Sequence, residues 1–400
     1  MNKNVWLLTA CQSLMMTCNA LLVTASALVG AILADTISLA TLPLALQFLA
    51  TMLASIPASL LMGKVGRRAG FMLGLLLGLS GSALASYAIF TADFWLFCLG
   101  TMLIGSYNGF GNYYRFAAVD VVSTEQKSRA ISYVMAGGVL AAILGPNIVS
   151  WTHDSIKGVE FAGSYIVIGL LYVLSFIIIS FVKIPAFRAE HHHGKARPLA
   201  QIVRQPVYLV AVITGMLGYS VMSLVMTATP LSMSHHHSLS DTAFVIQWHV
   251  LGMFAPSFFT GKLIYRFGVL NIMLVGVVLL AMAVIGNLLG ASLWHYWSAL
   301  LCLGVGWNFL FIGATDLLTY SYSEPEKAKA QAVNDFSVFS AVTLSALTAG
   351  YLQHHYGWQI VNLGVIPMIV VILMALIWIK LSPQPLLQGK QKSPYSEELV

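Results

Sequence analysis

The segment Ser123-Thr124-Glu125-Gln126-Lys127-Ser128-Arg129-Ala130 returns 200 residues later as Ser323-Glu324-Pro325-Glu326-Lys327-Ala328-Lys329-Ala330. A second pair, Gly63-Lys64-Val65-Gly66-Arg67-Arg68-Ala69-Gly70 and Gly261-Lys262-Leu263-Ile264-Tyr265-Arg266-Phe267-Gly268, is separated by 198 residues. Both separations are about half of the 400-residue chain. A half-length repeat in a hydrophobic chain predicts two homologous membrane bundles with a binding site between them.

The composition requires lipid as the solvent. Charged residues make up 8% of the chain and hydrophobic residues 58%, whereas about 25% of the residues in soluble domains are charged. The mean hydropathy is +0.82. Twelve apolar runs are long enough to cross a bilayer as helices, since backbone polar groups must be satisfied within the segment. These runs lie near 5–30, 37–62, 70–91, 94–122, 129–152, 161–183, 205–233, 239–265, 268–291, 293–321, 328–353 and 358–381.

The predicted fold class is therefore an all-α membrane protein with twelve transmembrane helices in two pseudo-symmetric six-helix bundles. We expect bundles at 1–184 and 205–382, a cytoplasmic linker at 185–204 and a cytoplasmic tail at 383–400. Eighteen of the 20 Lys and Arg residues fall at the amino end, in or beside the even-numbered loops, or at the carboxyl end. Positively charged loops stay on the cytoplasmic side, so both termini are expected in the cytoplasm of a bacterium, with the chain in its inner membrane.

The two charged loops carry a resemblance to a known family. Gly63, Arg67, Arg68 and Gly70, their copy Gly261, Arg266 and Gly268, and Leu144-Gly145-Pro146 in the fifth run are similar to motifs of the major facilitator superfamily. The resemblance covers the chain and implies two bundles that rock about a central substrate site. The loop lacks the family's usual Asp before its first Arg, and Thr101 stands where many drug exporters carry an Arg. These departures weaken an assignment to export.

A narrower resemblance is to a proteobacterial branch of that superfamily. It rests on Tyr113-Tyr114-Arg115-Phe116-Ala117-Ala118, Val305-Gly306-Trp307-Asn308-Phe309-Leu310-Phe311 and Asn334-Asp335-Phe336. The branch contains riboflavin importers and uncharacterised carriers. The resemblance therefore implies a small organic cargo, with riboflavin or a similar heteroaromatic favoured.

The fourth run carries a polar stripe. Thr101, Gly105, Asn108, Asn112 and Arg115 follow one another at spacings of three or four, which places them on one helix face. A charge at the bilayer centre costs roughly 2.5–3.5 kcal/mol on insertion scales, so we expect the stripe to face the central cavity. The alternative is that Arg115 extends its side chain to the headgroups at the cytoplasmic surface.

Two carboxylates are candidate partners for Arg115. Asp316 lies one position beyond the repeat equivalent of Arg115, and Asp335 lies about two turns into the eleventh run. We expect Arg115 to pair with one of them across the bundle interface when the cytoplasmic side is closed, and protonation of the Asp to release it. Alternatively, each Asp caps or packs within its own half.

Amide and aromatic side chains supply the rest of the expected substrate cavity. Such walls suit a flat, polar, mostly uncharged ligand, although any single aromatic residue could serve packing alone. Asn108 and Asn308 are equivalent at an offset of 200, so both halves are expected to aim an amide inward. With Arg115, the expected cavity set is Gln12, Asn19, Asn108, Asn112, Tyr219, Gln247, Trp307 and Asn308.

Histidines raise two further questions. His249 is the lone histidine in the middle of a run, and either proton sensing or a structural hydrogen bond would suit it. It joins Arg115, Asp316 and Asp335 in the expected gate and coupling set. The runs at 191–193, 235–237 and 354–355 lack Cys or paired acids to complete a metal site, so no metal or cofactor is expected.

The sequence thus predicts a secondary transporter rather than an enzyme, because no nucleophile with a base, phosphate loop or metal site is evident. Lipid, a small-molecule substrate and protons are the expected partners, nucleic acid is not, and the chain is expected to act as a monomer. One alternative is a proton-coupled efflux antiporter for drugs or metabolites. Another is a non-transporting sensor or assembly factor with the same fold.

Overall fold

The computed structural model describes residues 2–35, 39, 42–184, 197–233 and 237–382. The expected linker segment 185–196 and the tail 383–400 lie outside this part. The first half contains α1 (Lys3–Leu33), α2 (Leu42–Val65), α3 (Arg67–Thr91), α4 (Phe94–Gly111), α5 (Tyr114–Asp120), α6 (Lys127–Ala136), α7 (Gly138–Thr152) and α8 (Ala162–Ser180). The second half contains α9 (Leu199–Val203), α10 (Pro206–Met233), α11 (Leu239–Phe254), α12 (Ser257–Phe267), α13 (Val269–Leu289), α14 (Leu293–Leu318) and α15 (Lys327–Leu381).

All twelve predicted runs form helices, and the described residues contain no strand. Ten helical segments of the described chain are individually long and apolar enough to cross a membrane. The other two runs are interrupted. The fourth is broken between α4 and α5 at Asn112 and Tyr113, and the eighth between α11 and α12 at Ala255 and Pro256. Pro256 cannot donate a backbone hydrogen bond, which favours a break there.

The eleventh and twelfth runs are joined in α15 without a loop. Gly357 has φ 79° and ψ 173°, far from helical values, and separates the two spans. A residue with a Cβ rarely adopts a positive φ, so glycine suits this sharp corner.

The half-chain repeat is visible in the connections between helices. Single 3₁₀ turns at Thr124–Gln126 and Glu324–Glu326 precede α6 and α15, which begin at Lys127 and Lys327. These turns keep the predicted offset of 200. The glycine-rich loops do not keep their sequence offset of 198 residues, because the glycines with positive φ are Gly66 (φ 88°) and Gly268 (φ 85°). In this turn Gly268 corresponds to Gly66 and not to Gly70.

Close helix packing within each half depends on glycines at equivalent places. A Cβ added at Gly105 of α4 would lie 2.2 Å from the backbone oxygen of Gln47 in α2. A Cβ at Gly304 of α14 would lie 2.5 Å from the backbone oxygen of His249 in α11. Small residues let membrane helices approach closely. The packing therefore makes His249 the counterpart of Gln47.

The two halves meet tightly at the end of the bundle where the chain begins. We call it the basic end. Within the first half, Asn2 donates there to the Val121 backbone oxygen and Asn4 to that of Lys183. The Ser59 hydroxyl of α2 donates to the Ala328 backbone oxygen of α15 at 2.8 Å. A Cβ at Gly261 of α12 would lie 2.6 Å from the Ser128 backbone oxygen of α6. Each half thus contacts the other through an equivalent pair of helices.

Candidate functional site

A buried ion pair joins the two halves. Arg115 in α5 places Nη2 2.6 Å from Oδ1 of Asp335 in α15, and the side chains are 4% and 0% exposed. Arg115 Nη1 also donates to the Asn112 backbone oxygen at 3.0 Å, and Asn334 Nδ2 donates to Asp335 Oδ1 at 2.7 Å. Of the two expected partners of Arg115, the structure brings Asp335 to it. Removal of either charge would leave the other buried and unpaired.

Aromatic rings continue from this ion pair into the second half. The guanidinium of Arg115 lies 5.0 Å from the ring centroid of Phe311, and Phe311 stacks on Trp307 at 4.9 Å and 12°. Tyr219 contacts both rings edge-on, at 5.4 Å and 5.1 Å, and Phe339 at 6.2 Å. We call Tyr219, Trp307, Phe311 and Phe339 the aromatic cluster. Trp307 is buried, while Tyr219 and Phe339 are half-buried and keep part of their ring surface exposed.

A cluster of amides occupies the first half. Asn19 Oδ1 accepts from Asn108 Nδ2 at 2.6 Å and from Gln47 Nε2 at 3.2 Å, which links α1, α4 and α2. Gln47 and Asn108 direct their side-chain N–H groups at Asn19. Their side-chain carbonyl oxygens, and Gln12 Oε1, are buried without a hydrogen-bond partner among the described residues. Buried oxygens of this kind normally have a partner. They are candidate acceptors for hydrogen bonds from a ligand.

Asn308 differs from its sequence counterpart Asn108. Its Nδ2 donates to the Met253 backbone oxygen and to Ser257 Oγ, both at 2.6 Å, and its Oδ1 accepts from Thr260 at 2.7 Å. These contacts brace α14 against the break between α11 and α12. The expectation that Asn108 and Asn308 both aim an amide inward is therefore corrected, since the polar atoms of Asn308 have local partners.

His249 is fully buried against α14. Its Nδ1 lies 2.8 Å from the Leu300 backbone oxygen, and its Nε2 has no partner among the described residues. The helix-to-helix bond fits the structural alternative. Gln247, two positions earlier, is exposed, and Asn112 is half-buried.

A second charged network lies at the basic end. Arg67 Nε lies 3.2 Å from Asp120 Oδ2, and its Nη2 donates to Gln331 Oε1 at 2.6 Å. Lys327 Nζ lies 3.2 Å from Asp120 Oδ1 and 2.8 Å from Glu324 Oε2. These residues come from both halves, so the network ties the bundles together. Arg67 and Lys327 lie in the two repeated loops that the sequence marks, whereas Asp120 and Gln331 carry no such mark; the charges that border those loops are the available signal.

Asp316, the other expected partner of Arg115, lies elsewhere in the same interface. Its Oδ1 accepts from Ser128 Oγ of α6 at 2.9 Å. Asp316 therefore also contacts the opposite half, as a hydrogen-bond acceptor for Ser128 rather than as the partner of Arg115.

The remaining residues of the loop motif have varied settings. Arg68 and Arg266 are exposed, and the Arg266 guanidinium lies over the Phe267 ring at 5.3 Å. Gly70 packs tightly on Met62, and a Cβ at Gly63 would lie 3.0 Å from Ala328 Cβ.

The segment that follows the undescribed linker is anchored beside this network. Arg197 Nε and Nη2 donate to Glu326 Oε1 and Oε2, both at 2.7 Å, and Nη2 donates to the Ser321 backbone oxygen at 3.1 Å. The hydrogen bonds to Glu326 raise the pKa of Arg197. The bidentate geometry fixes this end of the expected 185–204 linker next to Lys327.

Metal ligands do not gather in the described residues, where no group of three or more His, Cys, Asp or Glu side chains could hold an ion. The histidine run at 191–193 and residues 235 and 236 lie outside the described part. Cys11, Cys18, Cys98 and Cys302 are all free thiols.

Comparisons with known proteins agree with this architecture. A family model, Major Facilitator Superfamily, matches residues 5–341. The riboflavin transporter RfnT of Brucella anthropi is 42% identical over 385 residues, which cover 96% of both chains. The fucose:proton symporter FucP of E. coli aligns with a TM-score of 0.75 at 15% identity, over 95% of this chain and 98% of FucP. A bacterial homologue of the iron transporter ferroportin aligns with a TM-score of 0.75 at 12% identity, over 95% of this chain and 100% of the homologue. These two structures show the shared fold.

The family match spans most of the chain, and the similarity to RfnT spans nearly all of it. Its relatives are transporters rather than enzymes. The chain belongs to the Major Facilitator Superfamily and is a secondary transporter.

Proposed function

We propose that this protein carries riboflavin, or a heteroaromatic solute of similar shape, across the bacterial inner membrane by alternating access. The observation that carries the proposal is the aromatic cluster beside the Arg115–Asp335 ion pair, with Tyr219 and Phe339 partly accessible. A flat ring gains most from offset or edge-to-face contacts with such side chains. The 42% identity to a riboflavin transporter supports the same cargo.

Hydrogen bonding in the first half suits the polar part of such a solute. The free carbonyl oxygens of Gln12, Gln47 and Asn108 can accept from ligand hydroxyl or imide groups. In this proposal the ring lies against the second half and the hydroxyl chain against the first. The transported solute would then touch both halves.

The two halves, 1–184 and 205–382, would rock about this site as rigid units, with the chain acting as a monomer. The distribution of Lys and Arg supports cytoplasmic termini, which makes the basic end cytoplasmic. The networks around Arg115–Asp335 and Arg67–Asp120–Lys327 would form the closed cytoplasmic gate. Protonation of Asp335 would weaken its hold on Arg115 and couple opening to protons.

Uptake of radiolabelled riboflavin into a riboflavin-auxotrophic bacterium tests the cargo. Cells that express this chain should grow at low riboflavin and accumulate label, and cells with an empty vector should not. Absence of growth rescue, with the protein present in the membrane, would reject riboflavin as cargo. Greater sensitivity to toxic compounds on gene deletion would instead indicate export. Uptake that is unchanged after collapse of the pH gradient would reject obligatory proton coupling.

A further inference from the structure

The charges around the proposed site cancel. Two basic side chains, Arg67 and Arg115, are buried in the part of the chain that the structure describes. Arg67 is paired with Asp120 at the basic end, and Arg115 with Asp335 beside the aromatic cluster. The site therefore presents no uncompensated positive charge to a ligand.

The unpartnered atoms around the site are mostly acceptors. Gln12 Oε1, Gln47 Oε1, Asn108 Oδ1 and Asp335 Oδ2 have no donor among the described residues, and the donors Trp307 Nε1 and Arg115 Nε have no acceptor there. Asn108 in α4 and Arg115 in α5 belong to the same interrupted fourth span. Hydroxyl and imide groups can donate to these oxygens, whereas a fully ionised phosphate group has oxygen acceptors and no donor.

We infer that the site selects uncharged flavins and rejects phosphorylated ones, and that Asp335 is the residue that sets this selectivity. The inference rests on the proposed function. A phosphate monoester carries a charge of about −1.5 to −2 at pH 7. It would meet a cation already neutralised by Asp335 together with three amide oxygens that repel it. Asp335 thus excludes the anion by occupying Arg115.

Binding of riboflavin and of riboflavin 5′-phosphate to the purified full-length protein tests this inference. Quenching of flavin fluorescence gives both dissociation constants at pH 7.5, and their ratio cancels any effect of gating that is equal for the two ligands. For the unaltered protein, we expect the phosphate ester to bind about 100-fold more weakly, which at 1.4 kcal/mol per tenfold corresponds to about 2.8 kcal/mol.

The variant Asp335→Asn should gain affinity for the phosphate ester. It keeps the side-chain shape and releases the charge of Arg115, so the ratio of the two dissociation constants should fall at least about tenfold. The double variant Arg115→Gln with Asp335→Asn should restore discrimination. Asp93→Asn is the control, because it makes the same charge change at the N-cap of α4, where Asn also caps well. It should leave the ratio unchanged.

The outcomes separate the two proposals. Equal binding of both flavins to the unaltered protein would overturn charge selection and leave the cargo assignment standing. An unchanged ratio in folded Asp335→Asn would overturn the role of Asp335. Should that variant not fold, the ratio in the unaltered protein still decides whether charge selection exists. If neither flavin binds, the cargo proposal falls together with this inference.

Discussion

Arg115 and Asp335 are 220 residues apart in the chain, yet their charged groups lie 2.6 Å apart in the interface between the halves. Neither side chain has appreciable contact with solvent. Breaking such a pair by removing one partner commonly costs about 3–5 kcal/mol. The pair therefore helps to hold the two halves together, and any separation of the halves at this point has to break or neutralise it.

Reversing both charges of this pair should restore transport that either single reversal removes. Arg115→Asp and Asp335→Arg alone leave two like charges in contact, so each should lower riboflavin uptake at least tenfold. The double reversal recreates an ion pair and should recover a substantial fraction of uptake. Initial rates, normalised to the protein found in the membrane, measure this. A double variant as inactive as the single ones would contradict a pairwise gate.

A disulfide across the basic end should arrest transport. A Cβ built at Gly63 lies 3.0 Å from Ala328 Cβ, and a shift of about 0.5–1 Å gives the roughly 3.5–4.5 Å that a disulfide needs. Oxidation of Gly63→Cys with Ala328→Cys should lock the halves and abolish uptake, and a reductant should restore it. The two single-cysteine variants are the controls, and they should be insensitive to the oxidant. Full uptake in the crosslinked protein would show that the halves do not separate there.

The aromatic cluster should contribute to ligand affinity, and the buried Trp307 should support it by holding Tyr219 and Phe311 in place. Trp307→Ala removes the ring stacked on Phe311 and should weaken riboflavin binding at least about tenfold, since aromatic pairs contribute about 0.5–1.5 kcal/mol beyond their buried area. Trp307→Phe should have a smaller effect. Trp294→Ala is the control, because Trp294 is 67% exposed. Equal dissociation constants for the two alanine variants would place the ligand elsewhere.

Glycine at position 105 should be needed for stability. Gly105→Ala puts a Cβ within 2.2 Å of the Gln47 backbone oxygen, and overpacking of this kind costs about 1–3 kcal/mol. The thermal unfolding midpoint in a single detergent should fall. Gly364→Ala, where a Cβ meets no atom within 4 Å, should leave the midpoint equal or higher. Similar midpoints for both variants would contradict the tight contact of α2 with α4.

Part of the site followed from sequence because charge in hydrocarbon is costly. That cost marks Arg115, Asp316 and Asp335 in the sequence alone, and it makes the two carboxylates the candidate partners of Arg115. It could not choose between them. The choice of Asp335 depends on how α5 and α15 meet, whereas Asp316 is held near Ser128.

Symmetry predicted from the sequence was less reliable for individual polar side chains. The offset of 200 pairs Asn108 with Asn308, but the break after α11 surrounds Asn308 with Ser257 and Thr260. Sequence alone does not mark Gln47 and His249 as counterparts, because an amide and an imidazole are different types of side chain. Their equivalence is visible only in the glycine contacts of α4 and α14.

The sequence by itself determined the number of apolar runs, their helical form, the half-chain repeat and the family resemblance. These features depend on composition and periodicity, which act locally along the chain. The tertiary structure alone decided which charges pair, which amides keep a free oxygen and which glycines form the left-handed turns. Those outcomes depend on the distances between helices that are far apart in sequence, and packing of the two halves sets those distances.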